Sequence, residues 1–153
     1  FGNQPSIQTS YIFNQLGAPW LTQKWTRKVI EKVYSGLSPD FGYSGDEDQG
    51  LMGSLAVLMK IGIFSMDGGV ATTPYYDLSS PIFDSIEIDL HPDFYSGKKV
   101  RIEVKNNSLE NRYIQSASFN GKPIKSWISH HDLVKGGKIS YTLGAEPNKN
   151  WGH

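Results

Sequence analysis

Three consecutive carboxylates, Asp46, Glu47 and Asp48, stand between Gly45 and a mostly apolar run that begins at Leu51. Acidic residues just ahead of a helix accept hydrogen bonds from its first N–H groups and sit favourably at the positive end of its dipole. Capping alone is reason enough for such a cluster. The same geometry also holds a carboxylate ionised and aimed, which is what a general base needs in order to activate water. The two roles are compatible, and the residues by themselves leave both open.

Other candidates are weaker. His130-His131-Asp132 combines metal-ligating residue types, but adjacent side chains on a loop point apart, so a solvated turn accounts for them. Asn106-Asn107-Ser108 matches an N-glycosylation acceptor, a triplet too short to be specific. Trp20, directly after Pro19, suits either core packing or a place beside a sugar ring. The chain has no cysteine, which excludes disulfides and thiol chemistry, and it has no Gly-rich phosphate loop.

The elements that must position these residues change character along the chain. Over residues 21–35, Leu21, Trp25, Val29 and Val33 fall four apart and Ile30 widens the stripe. Lys24, Arg27, Lys28, Glu31 and Lys32 take the other side, so the segment reads as an amphipathic helix ended at Gly36. Residues 10–15 read as the end of an earlier helix, joined through Gly17-Ala18-Pro19, with Pro19 suited to a first helical turn. Residues 37–45 are a loop rich in Gly, Ser, Pro and Asp. From the acidic turn to Ile61, Leu51, Leu55 and Leu58 make a second stripe, flanked by Met52 and Met59, and this helix should be largely buried.

After Asp67-Gly68-Gly69 the period drops to two. Ile86, Ile88 and Leu90, then Val100, Ile102 and Val104, then Ile139, Tyr141 and Leu143 each alternate with polar residues, as strands with one wet face do. Asn120-Gly121 marks a hairpin, and a short helical turn is expected over residues 132–135, stopped by Gly136-Gly137. The chain therefore divides near residue 70 into a helical part and an antiparallel β part, an α+β arrangement without internal repeats.

Composition narrows the function. The 153 residues suit one domain or two small units. With 15 Lys+Arg against 15 Asp+Glu there is no basic field for a polyanion, so nucleic acid is not an expected partner. The longest apolar stretch, residues 51–64, is broken by Gly53, Ser54, Lys60 and Gly62 and is too short and polar for a membrane span. The first residue is Phe1 and no targeting segment follows, so the chain reads as a fragment.

The run Gly45-Asp46-Glu47-Asp48-Gln49-Gly50-Leu51-Met52, followed by Gly62-Ile63-Phe64, resembles the helix-start signature of glycoside hydrolase family 92, the calcium-dependent exo-α-mannosidases. Upstream, Gly2-Asn3-Gln4-Pro5-Ser6 and Gly17-Ala18-Pro19-Trp20-Leu21-Thr22-Gln23 resemble two further segments of that family. Downstream, Ser80-Pro81-Ile82-Phe83-Asp84, Lys105-Asn106-Asn107-Ser108, Asn111-Arg112-Tyr113-Ile114-Gln115-Ser116, Leu133-Val134-Lys135-Gly136-Gly137 and Pro147-Asn148-Lys149-Asn150-Trp151 follow its order. Segments matching in one order over nearly the whole chain make chance a poor explanation.

The resemblance implies a hydrolase that removes terminal α-linked mannose with inversion. It implies helical hairpins from the end of an (α/α)6 barrel in residues 1–69, followed by a small antiparallel β-sandwich-like unit in residues 70–153. Asp46 and Asp48 map to the water-activating carboxylates, with Asp48 as the principal base. Inverting enzymes set acid and base about 6.5–9.5 Å apart, and carboxylates separated by one residue cannot easily flank a sugar ring. The acid is then the family's upstream glutamate, so the isolated chain is expected to be inactive. Calcium is the implied cofactor, with Asp48 as a ligand in a set that this chain holds incompletely, and Asn3, Gln4 and Trp20 are the implied substrate-binding residues. Gln4 stands where many relatives have glutamate, which removes a charge. The implied partners are mannose-containing glycans and the N-terminal remainder of the same enzyme. Apolar helix faces left by absent neighbours favour self-association. The implied location is periplasmic, cell-surface or secreted. The competing reading is a non-catalytic β-sandwich module that binds glycans or supports a neighbouring domain.

Overall fold

The computed structural model describes residues 2–38, 40–42, 45 and 49–153. A 3-10 turn, Gln4–Ser6, leads into helix α1 (Ile12–Gln15) and helix α2 (Pro19–Val33). Pro19 opens α2, where its missing N–H costs nothing because the first helical N–H groups have no intrahelical partner. The helix closes at Tyr34, whose N–H reaches the Ile30 carbonyl, two residues before the glycine stop expected at Gly36. Helix α3 (Leu51–Ile61) ends on Gly62 at φ 79°, which donates to the Leu58 and Met59 carbonyls. A Cβ at Gly62 would lie 2.7 Å from the Ser79 carbonyl oxygen, so space and conformation both require glycine there.

The helical core gathers Tyr11, Val29, Ile30, Tyr34, Met52, Leu55, Met59 and Phe64, with Tyr11 and Phe64 stacked at 4.5 Å. Helix α3 is not buried all round: Met52, Leu55, Ala56 and Met59 face inward while Val57 is exposed.

The strands are β1 (Ile63–Phe64), β2 (Tyr75–Leu78), β3 (Ser85–Asp89), β4 (Lys99–Lys105), β5 (Tyr113–Phe119), β6 (Lys122–Pro123), β7 (Trp127–Ser129) and β8 (Gly137–Gly144). They form two sheets, ordered β1-β2-β7 and β3-β4-β8-β5-β6. The β5–β6 turn has Asn120 at φ 50° and Gly121 at φ 80°, the paired left-handed residues that the strand twist of a tight hairpin demands. One pairing departs from the antiparallel expectation: β4 and β8 run parallel, with Ile102 opposite Ile139. Between them the chain passes through three other strands and the short helix α4 (His130–Leu133), a crossover long enough to return it in the same direction. Helix α4 starts two residues earlier than expected because Ser129 caps it, accepting from the Asp132 N–H. Both sheets share one apolar core, to which Leu78 and Ile128 contribute from the smaller sheet and Val100, Ile102, Ile139, Tyr141 and Leu143 from the larger.

Helix α2 joins the helical part to the larger sheet through a polar face. Gln23 Oε1 accepts from the Ile114 N–H at 2.8 Å. Arg27 Nη2 donates to Asn107 Oδ1 at 2.7 Å and to the Ser108 carbonyl at 3.0 Å. Glu31 pairs with Arg112 at 3.4 Å. These residues lie four apart and therefore on one side of the helix. The amphipathic reading of α2 needs correction: Arg27 is 4% exposed, not on the wet side, while Trp25 is 37% exposed. Burial first, and Arg112 nearby second, push the Arg27 guanidinium down to about 10, still charged at neutral pH. Among the described residues no helix is long and apolar enough to cross a membrane.

Candidate functional site

Asp46, Glu47 and Asp48 lie outside the described residues, so their roles are approached from the backbone that flanks them. Three left-handed residues flank the acidic run in sequence: Gly45 at φ 88°, then Gln49 at φ 62° and Gly50 at φ 91°, the last serving as N-cap of α3. Gly50 has no side chain with which to cap. Its carbonyl accepts from the Ser54 N–H at 3.0 Å and from Ser54 Oγ at 2.8 Å, which starts the helix immediately after the turn.

Gly45 also makes the contact that the sequence did not announce. A Cβ there would stand 2.6 Å from the Gly2 carbonyl oxygen and 2.7 Å from Gly2 Cα. Two segments more than forty positions apart thus meet backbone against backbone, and no side chain fits between them. The only hint in the sequence was that both segments begin with glycine.

Beyond Gly2, Asn3 is extended and its carbonyl accepts from the Ser6 N–H and from Ser6 Oγ at 2.9 Å. This turn leaves the side chains of Asn3 and Gln4 on the surface. Gln8 Nε2 donates to the Met66 carbonyl at 3.3 Å and ties the segment to the loop after β1. Trp20 sits elsewhere in the framework: it is half-buried in the first turn of α2, with Lys149 Nζ 5.3 Å from its ring centroid. Its ring therefore packs toward the C-terminal tail, whereas Gly45 meets the segment that holds Asn3 and Gln4.

A groove of about 460 Å³ opens next to these segments, lined by Ile7, Leu51, Leu58, Phe64, Tyr75 and Tyr76 among others. Ile7 follows Gln4 by three positions and Leu51 follows Asp48 by three, so the groove starts where both halves of the candidate site end. At its far side Tyr76 shares a 2.8 Å hydrogen bond with His130 Nδ1. Burial raises the Tyr76 hydroxyl above its ordinary range, and Tyr95 adds to the effect. Tyr75 and Tyr76 were missed because their strand, β2, is four residues long and ends in the pattern Asp-Leu, too short to show a period.

The two histidines point apart as expected, but they open the short helix α4 and do not form a solvated turn. His130 turns inward to Tyr76, while His131 is exposed, with Nδ1 3.8 Å from Asp132. Hydrogen bonds from Lys135 and Ser129 hold the Asp132 carboxyl below its usual range. Asn107 and Ser108 are engaged by Arg27. Among the described residues no three His, Asp or Glu side chains gather as a metal cluster. Asn3 and Gln4, which follow Gly2 in the chain, carry amide oxygens of the hard type that calcium prefers.

A chain whose acidic turn, glycine contact and two-part architecture occur together also matches known proteins as a unit. It belongs to glycosyl hydrolase family 92, whose catalytic-domain model matches residues 1–145. An uncharacterized secreted glycosidase of Arthroderma benhamiae is 32% identical over 154 residues, covering 99% of this chain and 19% of the relative. A family GH92 α-mannosidase from Bacteroides thetaiotaomicron superposes with a TM-score of 0.86 at 28% identity, over 99% of this chain and 19% of that one. The same mannosidase has been solved in complex with mannoimidazole. A family GH92 inverting mannosidase from Bacteroides thetaiotaomicron VPI-5482 superposes at 0.84 with 30% identity, over 99% of this chain and 20% of that one. The chain thus spans about a fifth of the length of these relatives.

Proposed function

We propose that this chain supplies the water-activating carboxylates of a longer α-mannosidase that releases terminal α-linked mannose from glycans with inversion. The observation that carries the reading is the Gly2–Gly45 contact, which brings together two matched segments inside a chain that superposes on mannosidases. Asp48 acts as the principal general base and Asp46 assists. Each directly neighbours a residue of the left-handed bracket, Gln49 and Gly45 respectively. A general base takes the proton of the attacking water in the transition state.

Asn3 and Gln4 present amide oxygens and N–H donors toward sugar hydroxyls, and the sugar's leaving side extends along the groove that ends at Tyr76 and His130. Calcium, when bound, supplies a hard positive centre that grips sugar hydroxyls, with Asp48 and the Asn3 and Gln4 amides as the donors this chain offers. The general acid belongs to the part of the enzyme outside this chain, so the chain alone is inactive. Export to the periplasm, the cell surface or the medium is supported by the secreted description of the Arthroderma benhamiae relative.

The test is Asp48→Asn in the full-length enzyme that carries this chain, assayed on mannobiose. Loss of a general base lowers turnover by about 10²- to 10⁴-fold. Turnover that stays within about twofold of the parent would remove Asp48 from the role.

A further inference from the structure

Asp77 is an acid placed where an ionised carboxylate has little support. It lies on β2, the central strand of the smaller sheet, flanked in register by Phe64 of β1 and Trp127 of β7. Its side chain is fully buried. Oδ1 accepts from Asn14 Nδ2 at 3.1 Å and from Gln15 Nε2 at 3.3 Å, while Oδ2 has no hydrogen-bond partner. Asn14 Nδ2 also donates to the Leu78 carbonyl at 3.1 Å and to the Ser126 carbonyl at 3.2 Å. Asn14 and Gln15 thus tie α1 to the sheet, and Asp77 is the one group that receives both amides.

The titratable groups that face Asp77 offer no positive charge. Tyr11 comes from the turn before α1, Tyr75 from β2 itself and Asp67 from the loop ahead of β2. Phe64 and Trp127, opposite it on β1 and β7, do not titrate. His130 of α4 is committed to Tyr76, the preceding residue of the strand, which points to the other face. Among the described residues no cation pairs with the acid.

We propose that Asp77 makes the packing of α1 on the smaller sheet proton-dependent: the buried, cation-free site favours the neutral carboxyl, and the fold weakens when that carboxyl ionises. A carboxylate has about four acceptor positions to fill, and two donors on one oxygen leave the other without a protein partner in a buried site. The neutral acid carries no such charge, and its Oδ1 still receives both amide donors. Burial is the main cause that raises the carboxyl, the Asn14 and Gln15 bonds oppose it, and Asp67 adds to it, for a net rise from 3.8 to about 6. Because the folded value exceeds the unfolded one, the folded chain holds the extra proton between them. The associated stability is complete below the unfolded value and is lost as pH rises through about 6. This inference concerns that packing alone and stands whether or not the mannosidase reading does.

The experiment is thermal unfolding of the 153-residue chain between about pH 5 and about pH 7.5, alongside Asp77→Asn. The folding equilibrium of the parent should weaken by about tenfold across that range, and the amide variant should lose that part of the pH dependence. A variant that keeps the parent's full pH dependence overturns the proposal. Should the variant fail to fold, the side-chain carboxyl carbon of Asp77 in the parent decides by NMR. A titration midpoint within about one unit of 6 supports the proposal, and one near the ordinary aspartate value of about 4 overturns it.

Discussion

Helix α2 packs against the larger sheet and strand β8 lies inside that sheet, yet they bury opposite kinds of residue. Strand β8 buries Ile139, Tyr141 and Leu143 and turns the alternate positions outward. Helix α2 buries Thr22, Gln23, Thr26 and Arg27 together with Val29 and Ile30, and leaves Trp25 partly outside. In the strand, burial follows hydrophobicity, because two faces and a fixed period leave no other solution. In the helix, burial follows partners. Backbone groups at Ile114 and Ser108 and the Asn107 amide need polar company when covered, and Gln23 and Arg27 provide it.

That difference puts the largest penalty on the strand. Ile139 is fully buried between Ile102 and Phe119 in register. Ile139→Ala removes apolar area and leaves a cavity in a close-packed core, a loss of about 2–5 kcal/mol. Urea unfolding of the chain measures it directly. A cost below about 1 kcal/mol would mean that the site collapses around the smaller side chain and that the β core is looser than its burial implies.

The same contrast explains what could be read in advance. The strands carrying Ile86, Val100 and Ile139 were legible because alternation is a local property, and the Asn120-Gly121 turn because its backbone needs are met by those residue types. Strands β1, β2 and β7 have two to four residues, and β2 buries Asp77 where a pattern would call for an apolar group. Their pairing depends on partners far along the chain. The parallel direction of β4 and β8 is equally non-local. In the candidate site the acidic residues were legible as a type, but their neighbour was not: no period or propensity records that Gly45 touches Gly2.

Gln23 sharpens the comparison at an intermediate scale. Gln23→Ala strips the Ile114 N–H of the side-chain acceptor that meets it at 2.8 Å in a buried seam, which costs about 1–3 kcal/mol. Backbone hydrogen exchange should show the Ile114 amide losing protection while the Ile139 amide, in the sheet interior, keeps it. Equal loss at both positions would mean that α2 and the larger sheet open as one unit, and the boundary drawn between them would dissolve.

The smallest effect belongs to the outer side of α2, where Lys28 Nζ lies 5.0 Å and Lys24 Nζ 5.6 Å from the Trp25 ring centroid. A cation over an exposed indole contributes about 0.5–1 kcal/mol at most, and much of that is offset by water and salt. Lys28→Ala should therefore change stability by less than Gln23→Ala does, while altering the fluorescence of Trp25. If the lysine variant lost as much stability as the glutamine variant, the outward face would be doing structural duty. The stripe of Leu21, Trp25, Val29 and Val33 would then describe the helix better than its polar seam does, because only an apolar cluster around Trp25 would make the cover of one lysine stem so costly.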